Sequence, residues 1–69
     1  MKTKIFKQGN YNFLSVNDTI ICAFNETKNQ FIRCSTANIT EKVIDAINYF
    51  RSLYNLKEIS LEFFIKEFI

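Results

Sequence analysis

The chain has 69 residues, a formal net charge of +2, 48% hydrophobic residues, and no His, Pro or Trp. At this length it is expected to form one domain, residues 1–69, that buries only roughly 60% of its unfolded surface, so it needs a very apolar core or a second copy for stability. Two cysteines and no histidine exclude a disulfide framework and an ordinary zinc set, so neither metal nor cofactor is expected.

The first half reads as strands separated by turns. Tyr11 to Val16, Thr19 to Phe24 and Gln30 to Cys34 are strand-like runs. Gly9-Asn10 and Asn17-Asp18 are two-residue hairpin turns, because Gly and Asn tolerate positive φ, and Glu26 to Asn29 form a four-residue loop. This predicts an antiparallel four-stranded β-meander over about residues 3–34.

These loop lengths also predict a register. Phe6 pairs with Phe13, Phe13 with Cys22, and Cys22 with Arg33; the next row is Ile5, Leu14, Ile21 and Cys34. Alternation then sorts the side chains into two faces. One is aliphatic, with Ile5, Leu14, Val16, Ile21, Ala23, Ile32 and Cys34. The other is aromatic, with Phe6, Tyr11, Phe13, Ile20, Cys22, Phe24, Phe31 and Arg33, and with Lys4 and Gln8 at its margins.

At Asn38 the period changes. Asn38-Ile39-Thr40-Glu41 reads as a capping box. A long helix is predicted over about residues 39–54, with Ile39, Val43, Ala46, Ile47, Phe50, Leu53 and Tyr54 on one stripe and Glu41, Asp45, Asn48 and Ser52 opposite. Asn55 is suited to the left-handed ending. Ile59, Leu61, Phe63 and Ile65 alternate as in a strand, but the helical pattern of Leu61, Phe64, Ile65, Phe68 and Ile69 reaches the last residue. A short helix over about residues 60–69 is therefore predicted, with Ser60 as N-cap and Glu62–Lys66 as an i,i+4 pair. The fold class is α+β.

No catalytic constellation is present. There is no Gly-rich phosphate loop, no nucleophile with a histidine base, and the carboxylates sit at positions of a solvated helix face. Cys22 and Cys34 lie in strand patterns and read as small core hydrophobes. The three Asn-x-Thr triplets at Asn17, Asn25 and Asn38 read as turns and caps. No secretory or membrane-spanning segment is visible, and the acidic groups around Lys57 and Lys66 oppose binding to anionic lipid, so a cytoplasmic protein is expected.

The expected function is binding. Two apolar sheet faces exceed what the helices can easily cover, and aromatics with Arg are typical of interface centres. The expected partner-binding residues are Phe6, Tyr11, Phe13, Phe24, Phe31 and Arg33. Phe63, Phe64, Phe68 and Ile69 are expected to serve self-association as a homodimer. Phe, Tyr, Ile, Asn and Lys supply about half the chain, the set encoded by AT-rich codons. A small, motif-free, aromatic chain of this kind has the style of phage or mobile-element accessory proteins that block a host protein by covering its surface. The alternative is a nucleic-acid-binding regulator. Residues 1–37 carry five basic and two acidic groups, a net +3, and Lys4, Lys7, Lys28 and Arg33 are its candidate phosphate contacts.

Overall fold

The computed structural model describes residues 1–35 and 39–67. Four strands precede two helices: β1 Thr3–Gln8, β2 Tyr11–Val16, β3 Thr19–Asn25, β4 Gln30–Arg33, α1 Glu41–Ser52 and α2 Leu61–Glu67. The strands form one antiparallel sheet in the order β1-β2-β3-β4, which is the meander expected of the turns. The chain divides into two compact units, Met1–Ser35 and Thr36–Ile69, so the sheet lies in one and both helices in the other.

Asparagine shapes the sheet unit. Asn17 and Asp18 have successive φ values of 50 and 66°, as a type I′ hairpin turn requires. The Asn17 N–H donates to the Lys2 carbonyl at 2.7 Å, and the Lys2 N–H donates to Asn17 Oδ1 at 3.0 Å. The turn thus also fastens the start of β1. In the Glu26 to Asn29 loop, Asn25 Oδ1 accepts from the backbone N–H groups of Thr27 and Lys28 at 3.0 and 3.2 Å, and Asn29 takes a φ of 52°.

The register departs from expectation in one place. Val16 opposes Thr19 and Ser15 opposes Ile20, but then the ladder shifts between Ser15 and Leu14. Leu14 opposes Cys22 and Phe13 opposes Ala23, so Ile21 is an extra residue in β3, a β-bulge. The expected pairs Phe13–Cys22 and Leu14–Ile21 do not form. Cys22 does oppose Arg33, as expected, and β4 ends there, with the Cys34 N–H donating to the Ile21 carbonyl at 2.9 Å.

Because side chains alternate, one inserted residue exchanges the faces of everything beyond it. Cys22, Phe24, Phe31 and Arg33 lie on the face of Ile5, Leu14 and Val16, while Ala23 and Ile32 join Phe6, Tyr11, Phe13 and Ile20. The expected separation into aliphatic and aromatic faces is therefore corrected: the aromatic rings divide between the two. Leu14, Val16, Cys22 and Phe24 are buried.

In the helical unit, Thr40 caps α1, its Oγ1 accepting from the Val43 N–H at 3.4 Å. The cap expected from sequence, Asn38, lies outside the described residues, and the helix begins at Glu41 instead of about residue 39. Its buried residues are Val43, Ile44, Ile47, Phe50 and Arg51, while Leu53, expected on the stripe, is exposed. The helix stops at Ser52, earlier than expected, so Leu53 and Tyr54 belong to the turn. Asn55 takes the left-handed conformation, φ 59°. Leu56 N–H donates to the Arg51 carbonyl at 3.1 Å and Asn55 N–H to the Ser52 carbonyl at 3.2 Å, the bond pair of a Schellman ending.

The segment from Leu56 to Ser60 is tied back to α1 by side chains. Asn48 Nδ2 donates to the Ile59 carbonyl at 3.0 Å, and its Oδ1 accepts from the Ile59 N–H at 2.9 Å. Arg51 Nε donates to the Lys57 carbonyl at 2.8 Å. Asn48, read from sequence as facing solvent, is a clamp. Ser60 Oγ then caps α2 by accepting from the Phe63 N–H at 3.1 Å, and Lys66 pairs with Glu62 at 2.7 Å, both as expected.

Replacing Asn48 with Ala removes both partners of Ile59. Urea unfolding should register a loss of about 1–3 kcal/mol. A variant as stable as the parent would show that the clamp contributes nothing.

Candidate interaction surface

The hairpin of β1 and β2 builds a stacked row of aromatic rings on one face of the sheet. Phe6 and Phe13 are directly opposite each other, and Tyr11 precedes Phe13 by two positions along β2, on the same face. The Phe6 and Phe13 rings stack with centroids 5.3 Å apart, and the Tyr11 and Phe13 rings at 5.9 Å. Phe6 and Tyr11 are each 38% exposed, and Phe13 between them is half-buried. Ile20 on the same face is 40% exposed. Lys4 and Gln8 flank Phe6 in β1, and both are exposed.

Three of the six expected partner-binding residues therefore share one surface. The other three do not. Phe24 is buried on the opposite face, Phe31 beside it is half-buried, and Arg33 Nε donates to the Ser35 carbonyl at 2.7 Å. The physical cause is the extra residue at Ile21.

The basic residues are also dispersed. Lys4 lies on the Phe6 face, 3.9 Å from Asp18 Oδ1. Lys7 lies on the other face, and its Nζ is 3.0 Å from Glu26 Oε2. Lys28 stands in the loop between β3 and β4, and Arg33 opposes Cys22. The hydrogen bond from Lys7 holds the Glu26 carboxyl below its ordinary value, and the Asn12 side chain adds a smaller pull of the same sign. By geometry, Asn12 Nδ2 is buried without a hydrogen-bond partner among the described residues.

In the helical unit Phe63 and Ile65 are exposed, whereas Phe64, expected at a self-association surface, is fully buried. Phe68 and Ile69 lie outside the described residues. A groove of about 430 Å³ is lined by Arg51, Lys57, Glu58, Ile59, Ser60 and Phe63. Arg51 Nε and Ser60 Oγ already serve the backbone there.

Among the described residues, no three His, Cys, Asp or Glu side chains are grouped to hold a metal ion. Cys22 is buried, but Cys34 is exposed, which corrects its reading as a core residue. Desolvation raises the Cys34 thiol pKa, the opposite of what an activated nucleophile needs. No helix among the described residues is long and apolar enough to cross a membrane. No protein-family model, curated protein or solved structure matches the chain.

Two outcomes are expected. Because the folded-state pKa of Glu26 is depressed, its ion pair adds stability above the unfolded value near 4.5 and loses it as pH falls through the folded value. An NMR titration should place the Glu26 midpoint below 4.5, and Lys7→Ala should raise it; an unchanged midpoint would show that the pair is absent in solution. In thiol labelling at neutral pH, Cys34 should react first and slowly, and Cys22 only once the chain unfolds. Equal labelling of both thiols in the folded protein would contradict the burial of Cys22.

Proposed function

We propose that this chain is a non-enzymatic protein-binding module that covers part of a partner protein's surface with the Phe6, Phe13 and Tyr11 face. The observation that carries this reading is the stack of three rings left accessible at 5.3 and 5.9 Å spacing. Aromatic side chains are enriched at the energetic centres of protein interfaces. Here they are already stacked on paired strands, so binding costs little further ordering. Lys4 and Gln8 supply a polar rim beside them.

On this reading the protein acts by occlusion, in the manner of a phage or mobile-element accessory protein that inhibits a host defence or regulatory protein in the cytoplasm. The raised thiol pKa of Cys34 and the capping role of Ser60 support binding over catalysis. A nucleic-acid partner has less support. Lys4 and Lys7 sit on opposite faces of the sheet and each stands beside an acid.

The test is a pull-down from the native host with nuclease treatment, comparing the parent with Phe6→Ser and Phe13→Ser. One protein retained after nuclease, with affinity reduced tenfold or more by either change, is the expected result. Recovery of nucleic acid alone, with affinity falling by orders of magnitude between about 50 and 200 mM salt, would overturn it.

A further inference from the structure

All six residues of β1 are exposed, unlike those of β2 and β3, and β1 is a sheet edge. Its hydrogen-bonding phase can be read from its neighbours. The Asn17 N–H donates to the Lys2 carbonyl, so Lys2, Lys4, Phe6 and Gln8 direct their backbone groups toward β2. The N–H and C=O groups of Thr3, Ile5 and Lys7 therefore point away from the sheet. This edge has no proline and no bulge where it pairs with β2. Among the described residues nothing pairs with it, so it is open to another strand.

The charge pattern selects the occupant. Lys2, Lys4 and Lys7 make the edge basic in sequence, yet Asp18 stands 3.9 Å from Lys4 and Glu26 stands 3.0 Å from Lys7. The chain's own acids thus offset much of the attraction that an acidic strand from another protein would feel. A second copy of β1 meets a different pattern. In a two-fold antiparallel pair centred on Ile5, Ile5 opposes Ile5, Thr3 opposes Lys7, and Lys4 opposes Phe6. No lysine faces a lysine. Each Lys4 ammonium lies beside the Phe6 ring of the other copy, a cation–π arrangement. Every outward backbone group of Thr3, Ile5 and Lys7 is paired. Centring on Lys4 instead sets Lys4 against Lys4, and centring on Phe6 leaves Thr3 without a strand partner.

We propose that β1 joins β1 of a second copy in the Ile5-centred antiparallel register, making a continuous sheet across a symmetric dimer. This interface uses the sheet edge and meets the ring face only at Lys4 and Phe6, leaving Phe13 and Tyr11 on β2 open. It also explains the exposure of Ile5, 41%, and of Phe6, which both gain a neighbour across the two-fold axis. A strand edge buries much less than the about 1,200 Å² of a standard stable interface, so the dimer is weak and concentration-dependent. Residues 1–35 carry five basic and two acidic groups, so two sheet units repel each other and salt should strengthen the dimer.

Sedimentation equilibrium of the full chain, from about 10 µM to about 1 mM, tests this mass-action behaviour. The expected result is a reversible rise from 8.2 kDa to twice that mass, favoured by added salt. Ile5→Lys, which sets lysine against lysine at the axis, should keep the chain monomeric, whereas Ile20→Lys, exposed but away from the edge, should not. Cross-linking gives a second readout in a Cys34→Ser background. Ile5→Cys should form a disulfide dimer by itself, and Gln8→Cys should do so only when mixed with Lys2→Cys. A chain that stays monomeric throughout would overturn the proposal. So would a dimer insensitive to Ile5→Lys but lost on Phe63→Ser, or one in which Gln8→Cys cross-links to itself.

Discussion

One extra residue, Ile21 in β3, decides which side chains share a surface. The Asn17-Asp18 turn sets Val16 against Thr19. At the other end of the same pair of strands, Tyr11 opposes Asn25, and the Glu26 N–H donates to the Asn10 carbonyl at 2.9 Å. These two ends define ladders that differ by one residue. A strand cannot stretch to absorb the difference, so it bulges. Ile21 takes up the slack, and Cys22 and Phe24 turn onto the face of Leu14, where both are buried. The rings that stay on the other face are Phe6, Phe13 and Tyr11, with Ala23 opposite Phe13; Phe6 and Tyr11 are exposed.

Much of the fold was legible because punctuation in this chain is chemical and local. Asn17, Asn29 and Asn55 occupy left-handed conformations, and Gly9 does the same at the first hairpin. Asparagine and glycine pay the smallest steric cost there, so their positions mark the reversals. Ser60 caps α2 for a similarly local reason. The bulge was not legible. Ile20-Ile21-Cys22 is three apolar residues in succession, which reads equally well in either register, and no Gly marks the insertion. The start of α1 was misplaced because Asn38 and Thr40 are both good caps, and only the backbone geometry at Thr40 distinguishes them.

Other residues escaped because their partners are set by tertiary structure. Asn48 and Arg51 sit one turn apart on α1, and a helical wheel gives them no reason to face inward. Their role appears only once the Leu56 to Ser60 segment returns alongside the helix and presents the backbone of Lys57 and Ile59. The candidate surface shows the same division. Phe6 and Phe13 could be paired from the length of the Gly9-Asn10 turn alone. Phe24, Phe31 and Arg33 could be placed only by counting through β3, where the count changes by one. The exposed basic residues were likewise visible as a list, but not the acids beside Lys4 and Lys7 that limit what those charges can attract.

Which residues share a surface therefore depends on the pairing of β2 with β3, and short-range proton contacts read that pairing directly. In an antiparallel ladder, facing residues without mutual hydrogen bonds bring their Hα atoms closest. With Ile21 as the extra residue, NMR should show Hα–Hα contacts between Phe13 and Ala23 and between Tyr11 and Asn25. An Hα–Hα contact between Phe13 and Cys22 would contradict the account, since it would return Phe24 and Phe31 to the face of Phe6 and Phe13 and merge the two surfaces into one.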